Sequence, residues 1–576
     1  MTSPVYTVEN KCQDCYKCVR HCPVKAIRIV NGNASVIPES CVSCGECVRV
    51  CPVHAKRIRS DLARLRELLS GPCKVYASVA PSFAAYFRGV TMETLAGALI
   101  EAGFAGVSET AHGAQSVSAQ VSGLFAARPR TSVMISSACP ACVDFIRMYM
   151  PEWSAFVSPV PSPVRAHVRM LKERHGNDAK VVFFGPCAAK KNESDRNPEE
   201  LSLALTFPSL EQFLEERGIS PAAAKEGPLD LGPAEEGRFY SVEGGMNDTL
   251  RDGSDRIRYI SVSGLDGLRR LLSMPPPPPE TDARSIFIEC LACPGGCVNG
   301  PAMKGGCTLA ALRATDATAP IRASKAERDY GGAEYPAASV RPVEHTEEEI
   351  SDALARVGKM SKADEVNCGA CGYESCRAFA VAMLDGKAEE DMCHTYLKRN
   401  FQRTSNALIK YIPAGVVLVG KGGGILECNR HFADLAGVGD VYGTLGSLDG
   451  MGIADVLPEF SELFAGALEH GSEIEKFRQP LKDRLVNISV FSISKGESAG
   501  AVVQDVTSNE LRREQVAAKA REVIQKNVQT VQQVARLFGE HIAETEIMLN
   551  EIAGTYESRT VGVSLNGGDS DEYLNG

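Results

Sequence analysis

The chain has no surplus of basic charge: 62 Lys and Arg stand against 72 Asp and Glu, for a formal net charge of −10. A nucleic-acid binder would carry a basic stripe, so that class is set aside. No apolar run approaches the ~18 residues of a membrane span, so no membrane role is expected. The N-terminus has no basic, apolar and small-residue leader pattern, and cysteines begin at Cys12. These absences lead to the expectation of a soluble, cytoplasmic protein. Cysteine, by contrast, is abundant, with 21 residues that fall in clusters. A secreted disulfide framework is short and led by a signal, and a chain of 576 residues without one is neither. Clustered thiols here read as soft-metal ligands in a reducing compartment.

At ~150 residues per domain the length suggests three to five domains. The expected fold is multidomain, α/β and α+β. A short cysteine-dense module covers 1–60. A mixed α/β body covers 72–310, alternating apolar runs such as Val181–Phe184 with helix-like stretches such as Leu201–Arg217, and interrupted by an extended polyproline loop or spacer at Pro275–Pro279. A linker at 311–345 leads to a second small cysteine module at 346–400. In 405–507 a glycine turn, Gly422-Gly423-Gly424, joins two apolar runs into a hairpin, helices follow at 430–437 and 460–470, and three strands close the segment. Apolar positions stepping by four and three from Ile524 to Ile552 predict a coiled-coil helix within 508–556, and the polar tail 557–576 reads as disordered.

The N-terminal cysteines repeat one rhythm. Cys12, Cys15 and Cys18 are followed by Cys22-Pro23, and Cys41, Cys44 and Cys47 by Cys51-Pro52. Three thiolates at this spacing wrap one face of a cubane, and the fourth reaches the other cluster. One [4Fe–4S] cluster is therefore assigned to Cys12, Cys15, Cys18 and Cys51, and a second to Cys41, Cys44, Cys47 and Cys22. This ferredoxin-type module is a wire. The alternative, a pair of zinc sites, lacks the three-plus-one rhythm and the prolines.

Three further motifs lie far apart: Ser136-Ser137-Ala138-Cys139-Pro140, Gly185-Pro186-Cys187 through Lys190 to Glu193, and Glu289-Cys290-Leu291-Ala292-Cys293-Pro294-Gly295-Gly296-Cys297. In this order they resemble the three signatures of [FeFe]-hydrogenase catalytic domains. The resemblance implies that Cys139, Cys187, Cys293 and Cys297 hold the cubane of an H-cluster. Cys297 would bridge to a diiron subcluster bearing CO, cyanide and a dithiolate, Lys190 would donate to a cyanide ligand, and Pro140 would shape the pocket. The departures from the family pattern are as informative. Family members carry a proton-passing cysteine where this chain has Ala138, and two methionines are replaced by Gly185 and Leu291. No Asp or Glu occurs between Glu109 and Cys139 to continue a relay. General acid–base transfer needs a titratable group within hydrogen-bond reach or one water away. Glu193 is retained and has two readings: a slower proton route, or a surface carboxylate at a helix start. Cys73, Cys142, Cys290 and Cys307 are expected to act as small apolar residues.

Cys368, Cys371, Cys376 and Cys393 form another four-thiolate set, similar to a small [4Fe–4S] domain of electron-transfer and corrinoid iron–sulfur proteins, with zinc as the alternative. Tyr411 to Val419, Ile425 to Asn429 and the closing Asp505-Val506-Thr507 resemble a PAS domain, whose ligand the residues leave unknown. His431 and His470 are the nearest haem-ligand candidates, and Cys428 is expected in a strand core. No kinase or phosphatase motif follows. The combined reading is a low-turnover H2 sensor. Its expected partners are H2, a redox protein such as a ferredoxin, H-cluster maturation proteins, a second copy through the coiled coil, and a separate kinase or phosphatase. Two alternatives remain: a catalytic hydrogenase with a rerouted proton path, and a non-enzymatic iron–sulfur scaffold.

Overall fold

The computed structural model describes residues 3–127, 132–251, 256–275, 284–304, 330–341, 343–507 and 519–528. The chain divides into two units, Met1–Glu390 and Asp391–Gly576. Most of the expected proline spacer, the greater part of the linker, Cys307, the tail 557–576 and all but 519–528 of the expected coiled coil lie outside the described residues. Residues 519–528 are helical. No helix among the described residues is long and apolar enough to cross a membrane.

The N-terminal module is two antiparallel strand pairs, Val5–Thr7 with Lys56–Ile58 and Ile27–Val30 with Asn33–Val36, and two short helices, Lys17–Arg20 and Glu46–Val50. Its halves follow matching paths: Tyr16 and Gly45, each in the left-handed region, open the two helices. Gly45 is required where it stands, because a Cβ there would lie 2.5 Å from Pro301 Cγ of the body. The module therefore docks through close backbone approach.

Two parallel sheets form the body. One has the strand order Gly106–Glu109, Val75–Val79, Lys180–Gly185, Leu203–Thr206; the other runs Ile257–Ser263, Ser285–Leu291, Val133–Ile135. Helices bury the central strands on both faces, so Val181–Phe184 reads as an unbroken apolar run and Val75–Val79 is buried throughout, Ser78 included. The Leu201–Arg217 stretch is not one helix. Its first half is the buried strand Leu203–Thr206, and Thr206 then caps the helix Phe207–Glu215, with Pro208 in its first turn. Proline fits there, where its missing N–H has no acceptor to lose.

A polar cluster lies inside this core. His167 is fully buried, with Nδ1 2.8 Å from Ser78 Oγ and Nε2 2.9 Å from Ser108 Oγ. Burial, reinforced by His112, holds its pKa down from 6.5 to about 3. The unfolded chain therefore binds a proton below pH 6.5 that the folded chain refuses. Stability contributed by the neutral ring is complete above that pH and falls by about 1.4 kcal/mol per unit as acidity rises toward pH 3. His167→Gln keeps hydrogen-bonding groups without the titration. Urea midpoints followed by the fluorescence of Trp153, the one tryptophan, should show the variant losing about 2 kcal/mol less than the parent between pH 6.5 and 5.

In the second unit, a five-stranded antiparallel sheet runs Ile425–Cys428, Gly415–Gly420, Ser498–Asp505, Arg484–Ser494, Ile474–Leu481. The expected hairpin forms about the glycine turn, and helices occupy Arg430–Leu435 and Ser461–His470. Two short helices, Gly439–Leu445 and Ile453–Val456, were not evident in the sequence. Asn429 ties the unit's opening together: its Oδ1 accepts from Val416 and Phe432 N–H, and its Nδ2 donates to Ile409 and Ala414 carbonyls.

Candidate metal centre

All three central motifs follow the C-terminal ends of parallel strands: Cys139 after Val133–Ile135, Cys187 after Lys180–Gly185, Cys293 and Cys297 after Ser285–Leu291. That edge is where open α/β sheets build sites, because the loops there are not bound by strand pairing. Gly295 and Gly296 take φ of 75° and 108°, which turns the third loop back so that Cys293 and Cys297 share one side.

The four thiols meet in the interior. Cys187 is pushed up to about 11 by burial and by Cys139; Cys293 and Cys297 are raised by burial and by their neighbours in the same set. Thiols that oppose one another's ionisation in a buried space are a set that calls for a cation at its centre. Cys139 differs: the Cys142 thiol donates to it, and this outweighs burial, bringing Cys139 down to about 6. Cys142 in turn meets Cys290, whose Sγ donates to the Ser136 carbonyl at 3.6 Å. Both are fully buried among apolar side chains, as expected, but they also support Cys139. Cys142 stands three residues from Cys139 at the start of a helix, and that spacing was the available signal.

Lys190, in the helix after Cys187, is nine-tenths buried. Its Nζ donates to Glu193 Oε2 at 2.7 Å and Ser162 Oγ at 3.1 Å, and its charge favours the ionised forms of Cys139, Cys187 and Cys297. Glu193 is therefore a partner of the site lysine and not a surface carboxylate. Ala138 packs against the apolar cluster to which Met134, Val160, Tyr240 and Met246 belong, and Pro140 opens the helix Pro140–Tyr149. Behind the third loop, Glu289 is buried and accepts from Met246 and Asn247 N–H at 3.3 and 3.2 Å. Burial pushes it up to about 7. An acid inside the apolar strand Ser285–Leu291 was the signal for it, and sequence reasoning gave it no role.

The N-terminal sets gather as their spacing predicts. Cys18 is pushed up to about 12 by burial, with contributions from Cys15, Cys12 and Cys51, and these four line one small cavity. Burial raises Cys47, and Cys44, Cys41 and Cys22 add to it. Backbone N–H groups point at sulfur: Ala26 to Cys22 (3.3 Å), Ser43 to Cys41 (3.3 Å) and Ala55 to Cys51 (3.2 Å). Such bonds favour thiolate and tune cluster potentials. The second set adjoins the central one, since Cys44 also raises Cys293. Cys368, Cys371 and Cys376 lie in the first unit, where Asn367 N–H donates to Cys376 Sγ at 3.4 Å; Cys393 belongs to the second unit. Among the described residues, no three Cys, His or carboxylate side chains are gathered tightly enough for a single metal ion. His431 and His470 are exposed, and Cys428 is a buried strand residue.

Comparison with known proteins follows the same division. Residues 73–301 match the C-terminal domain of the iron-only hydrogenase large subunit, residues 4–52 a 4Fe-4S dicluster domain, and residues 364–394 a putative Fe-S cluster family. The chain is 30% identical over 363 residues to the periplasmic [Fe] hydrogenase large subunit of Nitratidesulfovibrio vulgaris, covering 52% of this chain and 86% of that protein. It is 26% identical over 212 residues to iron hydrogenase 1 of Clostridium pasteurianum, covering 29% of this chain and 37% of that one. A solved [FeFe]-hydrogenase of Chlamydomonas reinhardtii aligns over its full length and 49% of this chain, with 18% identity and a TM-score of 0.40. With the relative from Nitratidesulfovibrio matched over most of its length, the chain belongs to the [FeFe]-hydrogenase family.

Proposed function

We propose that the protein is a low-turnover H2 sensor. The observation that carries this reading is Ala138. The loop position beside Cys139 presents a methyl group to an apolar wall, where the family places a proton-passing thiol. Cys139, Cys187, Cys293 and Cys297 would hold an H-cluster through its cubane, and Lys190 would offer its ammonium to an anionic ligand of that group. Such a group supplies the metal site at which H2 is split into protons and electrons. This chain's residues bind it, bury it and limit the traffic of protons to it. Losing a general acid–base partner costs about 10²–10⁴-fold. That loss defeats bulk turnover and leaves detection intact.

The two N-terminal sets and the Cys368–Cys371–Cys376–Cys393 set would each take a [4Fe–4S] cluster. The 405–507 segment is read as a PAS domain, supported by its five-stranded antiparallel sheet and by Asn429 at the hairpin's exit. The 508–556 helix is read as a dimerising coiled coil that passes the signal to a separate kinase or phosphatase. H-cluster maturation proteins would load the site, and a ferredoxin-like carrier would exchange electrons. A second reading, a working hydrogenase with a rerouted proton path, is favoured by Glu289, whose raised carboxyl behind the Cys297 loop can exchange protons near neutrality.

Infrared spectra of the anaerobically matured protein test the reading first. CO and cyanide stretches are expected, and their absence leaves only the scaffold. Dye-linked H2 oxidation then separates sensor from bulk enzyme: a rate comparable with a bulk hydrogenase would overturn the sensor.

A further inference from the structure

The matching halves of the N-terminal module differ at one residue in a telling way. Cys22-Pro23-Val24-Lys25 and Cys51-Pro52-Val53-His54 follow the same path, and Lys25 and His54 share left-handed backbone, with φ of 49° and 52°. That conformation is uncommon for either residue type, so the shared geometry comes from the cluster-binding loop. His54 is exposed. Lys25 instead folds its ammonium onto three carbonyls, those of Val19 and Arg20 at 3.2 Å and, from the third cysteine module, Gly372 at 2.8 Å. An ammonium has three hydrogens to donate, and these acceptors match them.

The same face makes further bonds to the third module. Arg20 Nη1 donates to the Ala370 carbonyl at 3.1 Å, Ile29 N–H to the Lys387 carbonyl at 3.0 Å, and Asn31 N–H to Glu389 Oε1 at 2.7 Å. The loop between Cys368 and Cys376 is thus seated on the half that carries Cys12, Cys15, Cys18 and Cys22, where Arg20 Nη2 also donates to the Cys15 carbonyl at 2.8 Å. On the other side, Gly45 brings the helix after Cys44 against Pro301 of the body. A cleft of about 600 Å³ marks the junction, bordered by Cys22 and Cys44, by Cys293, and by Gly369 and Gly372. Cys12, Cys15, Cys18 and Cys51 line a different cavity.

We propose that Lys25 latches the third cysteine loop onto the Cys22–Cys41–Cys44–Cys47 set, making that set the branch point between the central cysteines and the third module. The Cys12–Cys15–Cys18–Cys51 set lines its own cavity, apart from the cleft that Cys293 borders. The inference rests on the ligand assignments above and adds their order. Lys25 is a positioning residue. Exchange between neighbouring sets moves one electron, oxidising one and reducing the other, with no bond made or broken. The branch places the third module one step from the set adjoining the central site, so redox state there reaches the third module without crossing the other N-terminal set.

Paramagnetic resonance of the reduced, cluster-loaded full chain tests this. Magnetic coupling is expected between the third-module cluster and the Cys22 set. Lys25→Met should remove the splitting and raise amide exchange across 368–376 by about tenfold, as local opening becomes easier. Lys25→Arg, which keeps a cation and its donors, should restore most of both. Glu389→Gln weakens the same docking away from every cysteine and should shift both readouts in the same direction, even if Lys25→Met does not fold. Splitting and exchange unchanged in Glu389→Gln and in any folded Lys25→Met would overturn the latch. A parent protein with no third-module signal would overturn the ligand assignment there and the latch with it. A signal present but uncoupled would overturn the latch alone.

Discussion

Ala138→Cys is expected to raise dye-linked H2 oxidation by about 10–100-fold, at the lower end of what a general acid–base partner contributes. The loop can present the new thiol. Ala138 N–H donates to Ser136 Oγ at 3.2 Å, and that hydroxyl faces Met246 Sδ at 3.1 Å, so the backbone is held independently of the side chain at 138. One added sulfur meets a wall that includes Met246, whose flexible thioether can yield. Full recovery is not expected, because no carboxylate stands upstream to feed the new thiol: the helix Ala111–Ala127 carries His112, Gln115, Ser118 and Gln120 but no Asp or Glu. Ser118 is hydrogen-bonded to Tyr240 and Thr249 hydroxyls at 2.7 and 2.6 Å, a buried chain that can pass a proton only if an acid feeds it. Infrared bands of the variant should keep the parent's positions, since the iron ligands are untouched. An unchanged rate with unchanged bands would place the main barrier upstream of residue 138.

The cysteine sets were legible because spacing alone encodes them. Three thiols with two residues between each can face one point whatever the surrounding fold, and the chain gathers Cys51 with Cys12, Cys15 and Cys18 as that logic requires. The α/β character of the body was legible through apolar runs such as Val181–Phe184, but the parallel pairing of its strands was not. Leu201–Arg217 misled because the apolar positions of the strand, Leu203 and Leu205, run on into those of the helix, Phe207, Leu210, Phe213 and Leu214, and period cannot separate the two over so short a stretch. What spacing cannot carry is contact between distant segments. Lys25 and Gly372 are 347 residues apart, and nothing local marks either as a partner. Glu193 had an open reading as a surface carboxylate, since an i,i+3 lysine is equally common on a solvated helix; burial of both side chains decided it. Cys142 and Cys290 read as apolar filler because a thiol's packing and its hydrogen bond to a neighbouring ligand leave the same trace in sequence.

Lys191, the neighbour of the site lysine, was legible only as part of a motif, and its removal from balance should have the largest effect on stability. Its side chain is fully enclosed; Nζ donates to Asp61 Oδ2 at 2.8 Å and to the Ala204 carbonyl at 2.9 Å. Asp61, at the start of the helix after the N-terminal module, is nearly as enclosed and also meets Arg59 at 3.0 Å and Arg64 at 3.4 Å. Burial would raise this carboxyl, but Lys191 and Arg59 carry it below its usual value, so its contribution is present above about pH 4 and is lost as pH falls further. Asp61→Ala leaves the Lys191 ammonium with one neutral acceptor in an apolar interior. Breaking a buried pair from one side costs about 3–5 kcal/mol. Arg59 is spared a similar fate because Asp195 still accepts from it at 2.8 Å. Trp153, buried in the body with Nε1 donating to the Leu272 carbonyl at 3.0 Å, reports the loss as a lower denaturant midpoint. Adding Lys191→Met to Asp61→Ala removes the stranded charge, and a hydrophobic pair of similar volume is often as stable as the ions it replaces. The double variant should therefore recover most of the loss, so the single variant's deficit comes from an uncompensated charge and not from a missing contact. A double variant as unstable as the single would assign the role to Asp61 alone, through Arg59.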